Sequence, residues 1–389
     1  MSDDQGAYWL VPARLFDGHT MHSGVAVRLR GAEVLEWAAI ADLGDRADLR
    51  HHDGIAAPGL IDLQVNGGGG VLLNTSPTPD GLRAIATAHR ALGCAFCLPT
   101  LITDAPEVLD RATDAMLALW SAPDRGGVAG LHIEGPHISI TKRGTHDPRF
   151  IRPLDDRTLN CVARLRERGV PVLITVAPEA CAPGQIARLV TMGAVVSIGH
   201  SAAAPDQIAR AMAEGARKGT HLYNGMTGMA GRDPGVAGAL IDSDLWLGLI
   251  ADGHHVSEAM IRLAWRARPA AGRMILVSDA MPTVGGPDHF TLYDQVIRVA
   301  DGKLVNAEGS LAGVHMALPQ ALPRVTRILD DDGVQALTAA SSTPAELMGL
   351  SGLGHLRPGA TGGVTLLGPD LTRAEWLGAA PAGKDRPAR

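Results

Sequence analysis

The chain has 389 residues, 46% hydrophobic and 20% charged, which is enough to bury a large core and too many for one small domain. Its formal charge is −6 with Lys and Arg scattered, which argues against a nucleic-acid surface and requires any anionic ligand to be held locally. Four cysteines (Cys94, Cys97, Cys161, Cys181) suit a reducing compartment; the acidic opening has no basic leader region, and no run approaches the ~20 apolar residues of a membrane span, so the expected location is cytoplasmic.

Residues 1–57 read as short strands broken by Gly and Asp turns, in "YWLVPARLF", "GVAVRLRGAEVLEW" and "HHDGIAAPG". After Pro58, short apolar runs alternate with helical stretches. The runs are "GLIDLQV", "AFCLPTLI", "VAGLHIE", "PVLITVAPE", "AVVSIGH", "KGTHLYN", "WLGLIAD" and "MILVSDA". Helices are expected over 79–92, 106–120, 155–168, 205–218 and 257–268 between them. Eight such units predict a (β/α)8 TIM barrel, an α/β fold that typically needs ~250 residues. Two further helices are expected over 314–329 and 334–348, followed by Gly-rich β-like text and a tail, "PAGKDRPAR", that reads as disordered. Because chain ends often lie close together, residues 1–57 and 357–389 are expected to form a small discontinuous β-sandwich-like domain beside a barrel spanning 58–356.

In such a barrel the catalytic groups come from the C-terminal ends of several strands. Those ends carry Asp62, Gln64 and Asn66 on strand one, Glu134 and His137 on strand three, and Glu179 on strand four. His200 follows on strand five, His221 with Asn224 on six, Asp252, His254 and His255 on seven, and Asp279 on eight. Glu134, His200 and His221 supply one carboxylate and two imidazoles, the donor set of a catalytic Zn²⁺-type site with a position open for water. A cation there explains a carboxylate placed straight after the apolar strand "LHI". Asp279 is then the expected general base and acid.

The blocks "APGLIDLQVNGGGG", "LHIEGPHI", "KRGTHDPRFI", "ITVAPE", "SIGHS", "GTHLYNGMTGMAGRDPG", "ADGHHV", "LVSDAM" and "GSLAG", in order from Pro58 to Gly313, resemble the N-acetylglucosamine-6-phosphate deacetylases of the amidohydrolase superfamily. The resemblance implies deacetylation of an amino-sugar phosphate, with Glu134, His200 and His221 as metal ligands and Asp279 as proton carrier. It further implies that His146 lies on the sugar and its acetamide, that Asn224 and Gly225 grip the phosphate, and that Leu311, Ala312 and Gly313 close over the sugar. Arg232 and His255 match phosphate contacts that the resemblance assigns to the neighbouring subunit of a homodimer.

Strand one carries Gln64 and Asn66 where many superfamily members place His-x-His for a second metal. Neutral amides are weak ligands for zinc-class ions, so one divalent metal per subunit is expected, Zn²⁺ first and Fe²⁺, Co²⁺ or Mn²⁺ as alternatives, with Gln64 at most reaching its water. Strand four ends without the lysine that bridges two metals in dihydroorotase-like proteins. Lys142, Arg143 and His254 read as solvated loop residues, and His137 as a packing residue. Two alternatives remain: the same chemistry on the galacto epimer or another N-acyl group, and a catalytically silent sugar-phosphate binding protein. The second would have lost Asp279 or a metal ligand, and all are present.

Overall fold

Each of the eight apolar runs contains a strand: Ile61–Val65, Phe96–Ile102, Leu131–Glu134, Val172–Val176, Val195–Ile198, Lys218–Gly219, Trp246–Leu249 and Met274–Leu276. In this computed structural model, which describes residues 6–378 apart from 47, 308 and 310, they pair side by side in parallel and in chain order. The barrel closes where strand eight meets strand one: Val65 bridges Ala280 in parallel, and Asp279 N donates to Gln64 O at 2.9 Å. The expected TIM barrel is therefore the fold.

Local chemistry starts the helices where the pattern predicted. Thr78 caps the helix Pro79–Ala91 by accepting from Gly81 N, Pro79 occupies the first turn, and Leu82, Ile85, Ala86 and His89 bury one face. Asp155 and Ser257 cap Asp156–Glu167 and Glu258–Arg266 in the same way. The apolar faces of these helices meet Leu131, Ile133, Ile174, Val196 and their like in one core that wraps the outside of the barrel.

Three expected helices differ. The one expected over 205–218 is Pro205–Ala213, because Gly215 turns the chain with φ 101° and Lys218 already belongs to strand six. The one expected from Val314 starts later, as a 3-10 turn at Leu318–Gln320 leading into Ala321–Leu329. Val314 is held extended instead by a parallel bridge to Ala280. The one expected over 334–348 is two helices, Val334–Ala340 and Ser342–Met348, broken at Ser341, whose ψ of −76° leaves the helical range.

A three-stranded antiparallel sheet, His289–Leu292, Gln295–Ala300 and Lys303–Val305, was not foreseen. Its apolar face, Phe290, Leu292, Ile297 and Leu304, packs on Leu72, Ile102, Met281 and Ala312, beside the C-terminal rim of the barrel. Its Tyr293 hydroxyl donates to Thr103 O after strand two. Both ends of the chain contribute to one mixed seven-stranded sheet. There Leu49–Pro58 pairs in parallel with Tyr8–Phe16 on one side and antiparallel with Val364–Leu367 on the other. The expected disordered tail lies outside the described residues.

Candidate active site

Alternation along a strand sends every second side chain into the barrel. On strand three Leu131 and Ile133 point to the outer core, while His132 and Glu134 enter the interior. The barrel floor is consequently polar. Thr100 Oγ1 meets His132 Nδ1 at 3.2 Å, His132 Nε2 meets Thr175 Oγ1 at 2.8 Å, and Thr220 Oγ1 joins Thr175 Oγ1 at 2.7 Å and Ser197 Oγ at 2.5 Å. Burial pushes His132 down to about 3, so it is a neutral hydrogen-bonding member of this layer.

Above that layer three metal-ligating groups converge. Glu134 Oε1 is 3.1 Å from His221 Nε2 and 3.5 Å from His200 Nε2, and the two Nε2 atoms are 3.0 Å apart. Among the described residues this is the cluster of three His, Cys, Asp or Glu ligand atoms close enough to hold one cation. Burial opposes the charge on Glu134, but the neighbouring His200 and His221 imidazoles outweigh it and hold the carboxyl well below its usual value. His200 Nδ1 lies 2.8 Å from Lys142 O, which can only accept; Nδ1 therefore carries the proton and Nε2 turns its lone pair to the cluster. Lys142 acts here through its backbone. Gly225 permits the arrangement, since a Cβ there would fall 2.7 Å from His200 Nδ1, at a φ of +59°. The donors, the tautomer and the buried, protein-unpartnered Gln64 Oε1 and Asn66 Oδ1 all fit a divalent cation with water around it.

Asp279 stands beside the cluster. Its Oδ1 accepts from Asn66 Nδ2 at 2.7 Å and Gln64 Nε2 at 3.1 Å, and the same Gln64 amide donates to Glu134 Oε1 at 2.9 Å. Gln64 thus ties the two carboxylates together, more than the contact with a metal's water expected of it. Burial, then the charge of Glu134, lifts Asp279 to about 6 against the opposing pull of His221, Asn66 and His255. His200, His221 and Asp279 have φ of 45°, 25° and 55°, in the left-handed region that non-glycine residues rarely adopt. Such strain costs of order 1–3 kcal/mol each and gathers at functional sites.

His146 packs its ring 4.5 Å from that of His200. Thr103 N, which can only donate, points to His146 Nδ1 at 3.3 Å, so the proton of the neutral ring is on Nε2. Burial, followed by the neighbouring His200, pushes His146 down to about 3, which keeps it neutral and an Nε2–H donor.

These groups border a cavity of about 220 Å³, also lined by Asn66, Thr145, Asn224, Gly225, Leu311 and Gly313. His255 lines it too, with Nδ1 2.7 Å from Asp252 Oδ2. That corrects the expectation that His255 reaches in from a neighbouring subunit: the turn after strand seven, pinned by Asp252, aims it into its own barrel. Burial opposes its charge, but Asp252 prevails and raises its pKa, while Asp252 is lowered to about 2, chiefly by His255 against its own burial. Arg232 is exposed on its loop and is not among the residues lining this cavity. Ala312 is buried under the three-stranded sheet and lines a neighbouring hollow instead, because its two neighbours take the places on the cavity side.

Other rim candidates have structural partners. Glu179 accepts from Ser201 Oγ and Ala202 N, and His137 bonds Arg152 O and Thr158 Oγ1. Asp62 lies inside the barrel rather than on the rim, accepting from Ser278 N and Gln64 N. Sequence reasoning missed Lys218, His132 and the bridging role of Gln64. Counting back two residues from Glu134 and from Thr220 would have found the first two.

A closed parallel barrel with a Glu/His/His cluster and a buried aspartate on its rim defines a metal-dependent hydrolase. The chain belongs to the amidohydrolase family, whose model matches residues 55–383, and is a hydrolase of carbon–nitrogen amide bonds. It is 37% identical to the N-acetylgalactosamine-6-phosphate deacetylase of Shewanella sp. (strain ANA-3), over 86% of this chain and 84% of that one. It is 35% identical to the N-acetylglucosamine-6-phosphate deacetylase of Homo sapiens, over 76% and 75% of the two chains. The crystal structure of the Pasteurella multocida N-acetylglucosamine-6-phosphate deacetylase superposes with a TM-score of 0.88 at 28% identity, covering 96% of this chain and 98% of that one. Among the described residues no helix is long and apolar enough to cross a membrane.

Proposed function

We propose that the protein hydrolyses N-acetyl-D-glucosamine 6-phosphate to D-glucosamine 6-phosphate and acetate, in the amino-sugar metabolism of the cytoplasm. The observation that carries this reading is Gln64, whose one amide holds the triad carboxylate Glu134 at 2.9 Å and the proton carrier Asp279 at 3.1 Å. A divalent cation on Glu134, His200 and His221, one per subunit, supplies Lewis-acid activation of water and of the amide carbonyl when bound. Zinc is our first choice of ion, and the same donors accept iron, cobalt or manganese.

Asp279 removes a proton from the attacking water as the carbon–oxygen bond forms, then delivers it to the amide nitrogen as the carbon–nitrogen bond breaks. Its raised pKa, about 6, suits both transfers. His146 Nε2–H donates to the carbonyl oxygen as negative charge develops there. Asn224, Gly225 and His255 hold the phosphate, and Leu311 and Gly313 border the sugar. Arg232, exposed on its loop, reaches the phosphate of a second copy in a homodimer.

A second reading, the galacto epimer, is favoured by the 37% identity to a deacetylase of that substrate. Comparing kcat/KM for the two epimers, with and without the 6-phosphate, alongside metal analysis of the purified protein, tests both. A preference for the galacto sugar replaces the first reading with the second, and acetate release without any metal removes both.

A further inference from the structure

Below the triad the barrel holds two buried ionisable groups, an amine and a carboxyl, that the proposed reaction does not use. Lys218 begins strand six, three residues before His221, and Asp62 lies on strand one, two before Gln64; both side chains are fully buried. The Lys218 ammonium makes one long hydrogen bond among the described residues, to Gly219 O at 3.4 Å. It sits in the hollow left by Gly248 on the next strand, where a Cβ would fall 2.9 Å from Nζ and 3.3 Å from His221 N. A side chain at Gly248 would therefore crowd both the lysine and the backbone of His221, a triad member. Asp62 accepts from Ser278 N at 3.2 Å and Gln64 N at 3.1 Å, the neighbour of Asp279 and the residue that bridges the two site carboxylates.

A carboxyl and an amine buried without a direct contact to each other are costly to ionise, and a packed apolar pair would serve the core better. What retains them is the field of the site. Burial drives Asp62 up to about 7 against the hydrogen bonds from Ser278 and Gln64, and Lys218 down to about 8, while Glu134 first, then Asp62 and Asp279, pull the lysine back toward the charged form. A barrel interior screens such charges poorly, so each acts on any cation held by the triad.

We propose that Lys218 and Asp62 set the affinity of the Glu134–His200–His221 triad for a divalent cation, Lys218 weakening it and Asp62 strengthening it. The inference rests on the triad reading given above. A merely structural pair would cost stability on removal from either side and leave metal affinity alone; a charge pair moves affinity in opposite directions.

The test is a titration of the metal-stripped full chain with zinc alone against a chromogenic chelator, with thermal unfolding followed in parallel. Lys218→Met is expected to lower the dissociation constant about tenfold or more, Asp62→Asn to raise it about tenfold or more, and the double variant to return toward the parent. Values within about twofold of the parent for both single variants, or shifts of the same sign, overturn the proposal while leaving the triad reading intact. A parent chain that binds no zinc overturns both. Should Lys218→Met not fold, Lys218→Gln and Asp62→Asn give the same opposite-sign readout, and an unchanged Asp62→Asn overturns the proposal.

Discussion

The two faces of each barrel strand are built from different chemistry. Outward, Leu131, Ile133, Ile174 and Val196 pack against helices in an apolar layer. Inward, Asp62, Gln64, His132, Glu134, Thr175, Ser197 and Lys218 are just as buried, where barrel interiors are more often filled by branched apolar residues. The outer face stabilises the fold through area removed from water, at roughly 25 cal/mol per Å². The inner face spends stability on buried polar groups, whose hydrogen bonds hold reactive side chains in place. The comparison teaches that burial has two uses here, and mutations on the two faces should fail differently.

The largest effect is expected from Asp279→Asn, which should reduce turnover about 10²- to 10⁴-fold while the chain folds and retains metal, measured by acetate release and metal content. Unchanged turnover would break the division, since the inner face would then carry no chemistry. Ile133→Ala, one residue from Glu134 but on the other face, should cost about 2–5 kcal/mol in denaturant unfolding and leave kcat near the parent value. Gln64→Leu should lower metal affinity or activity about 10- to 100-fold by freeing both carboxylates, with little change in unfolding midpoint.

A smaller effect is set by pH. Asp252 raises the pKa of His255, so the cation persists to higher pH than in an isolated imidazole. Phosphate binding should therefore weaken, seen as a rising KM, as pH climbs through that raised value. Asp252→Asn should move this onset to lower pH, visible by NMR titration of the ring. The sign for stability follows. The His255 contribution is complete below its unfolded pKa and lost as pH rises through the folded one, while that of Asp252 is lost only as pH falls toward about 2.

Much of the fold was legible in the sequence. The eight strands were readable because apolar runs between capped amphipathic helices admit few architectures, and the eight runs match the eight strands. Glu134, His200, His221 and Asp279 were readable because polar residues closing apolar runs have one rim on which to meet. The sheet 289–305 was not, since its strands alternate over a few residues each and are joined by Tyr293–Asp294 and Asp301–Gly302 turns with positive φ, two of them at aspartates. Nor was the start of the helix at Leu318, which depends on Val314 being captured by Ala280 across the barrel seam.

The sequence alone determined the periodicities, the caps and the inventory of ligands, because these depend on neighbours a few residues apart. Tertiary structure decided which nitrogen of His200 and His146 carries the proton, and that His255 serves its own barrel. It also decided that Gln64 joins two carboxylates and that Lys218 lies buried against the hollow of Gly248. Each of these depends on a partner distant in the chain, brought near only when the eight strands close into a ring.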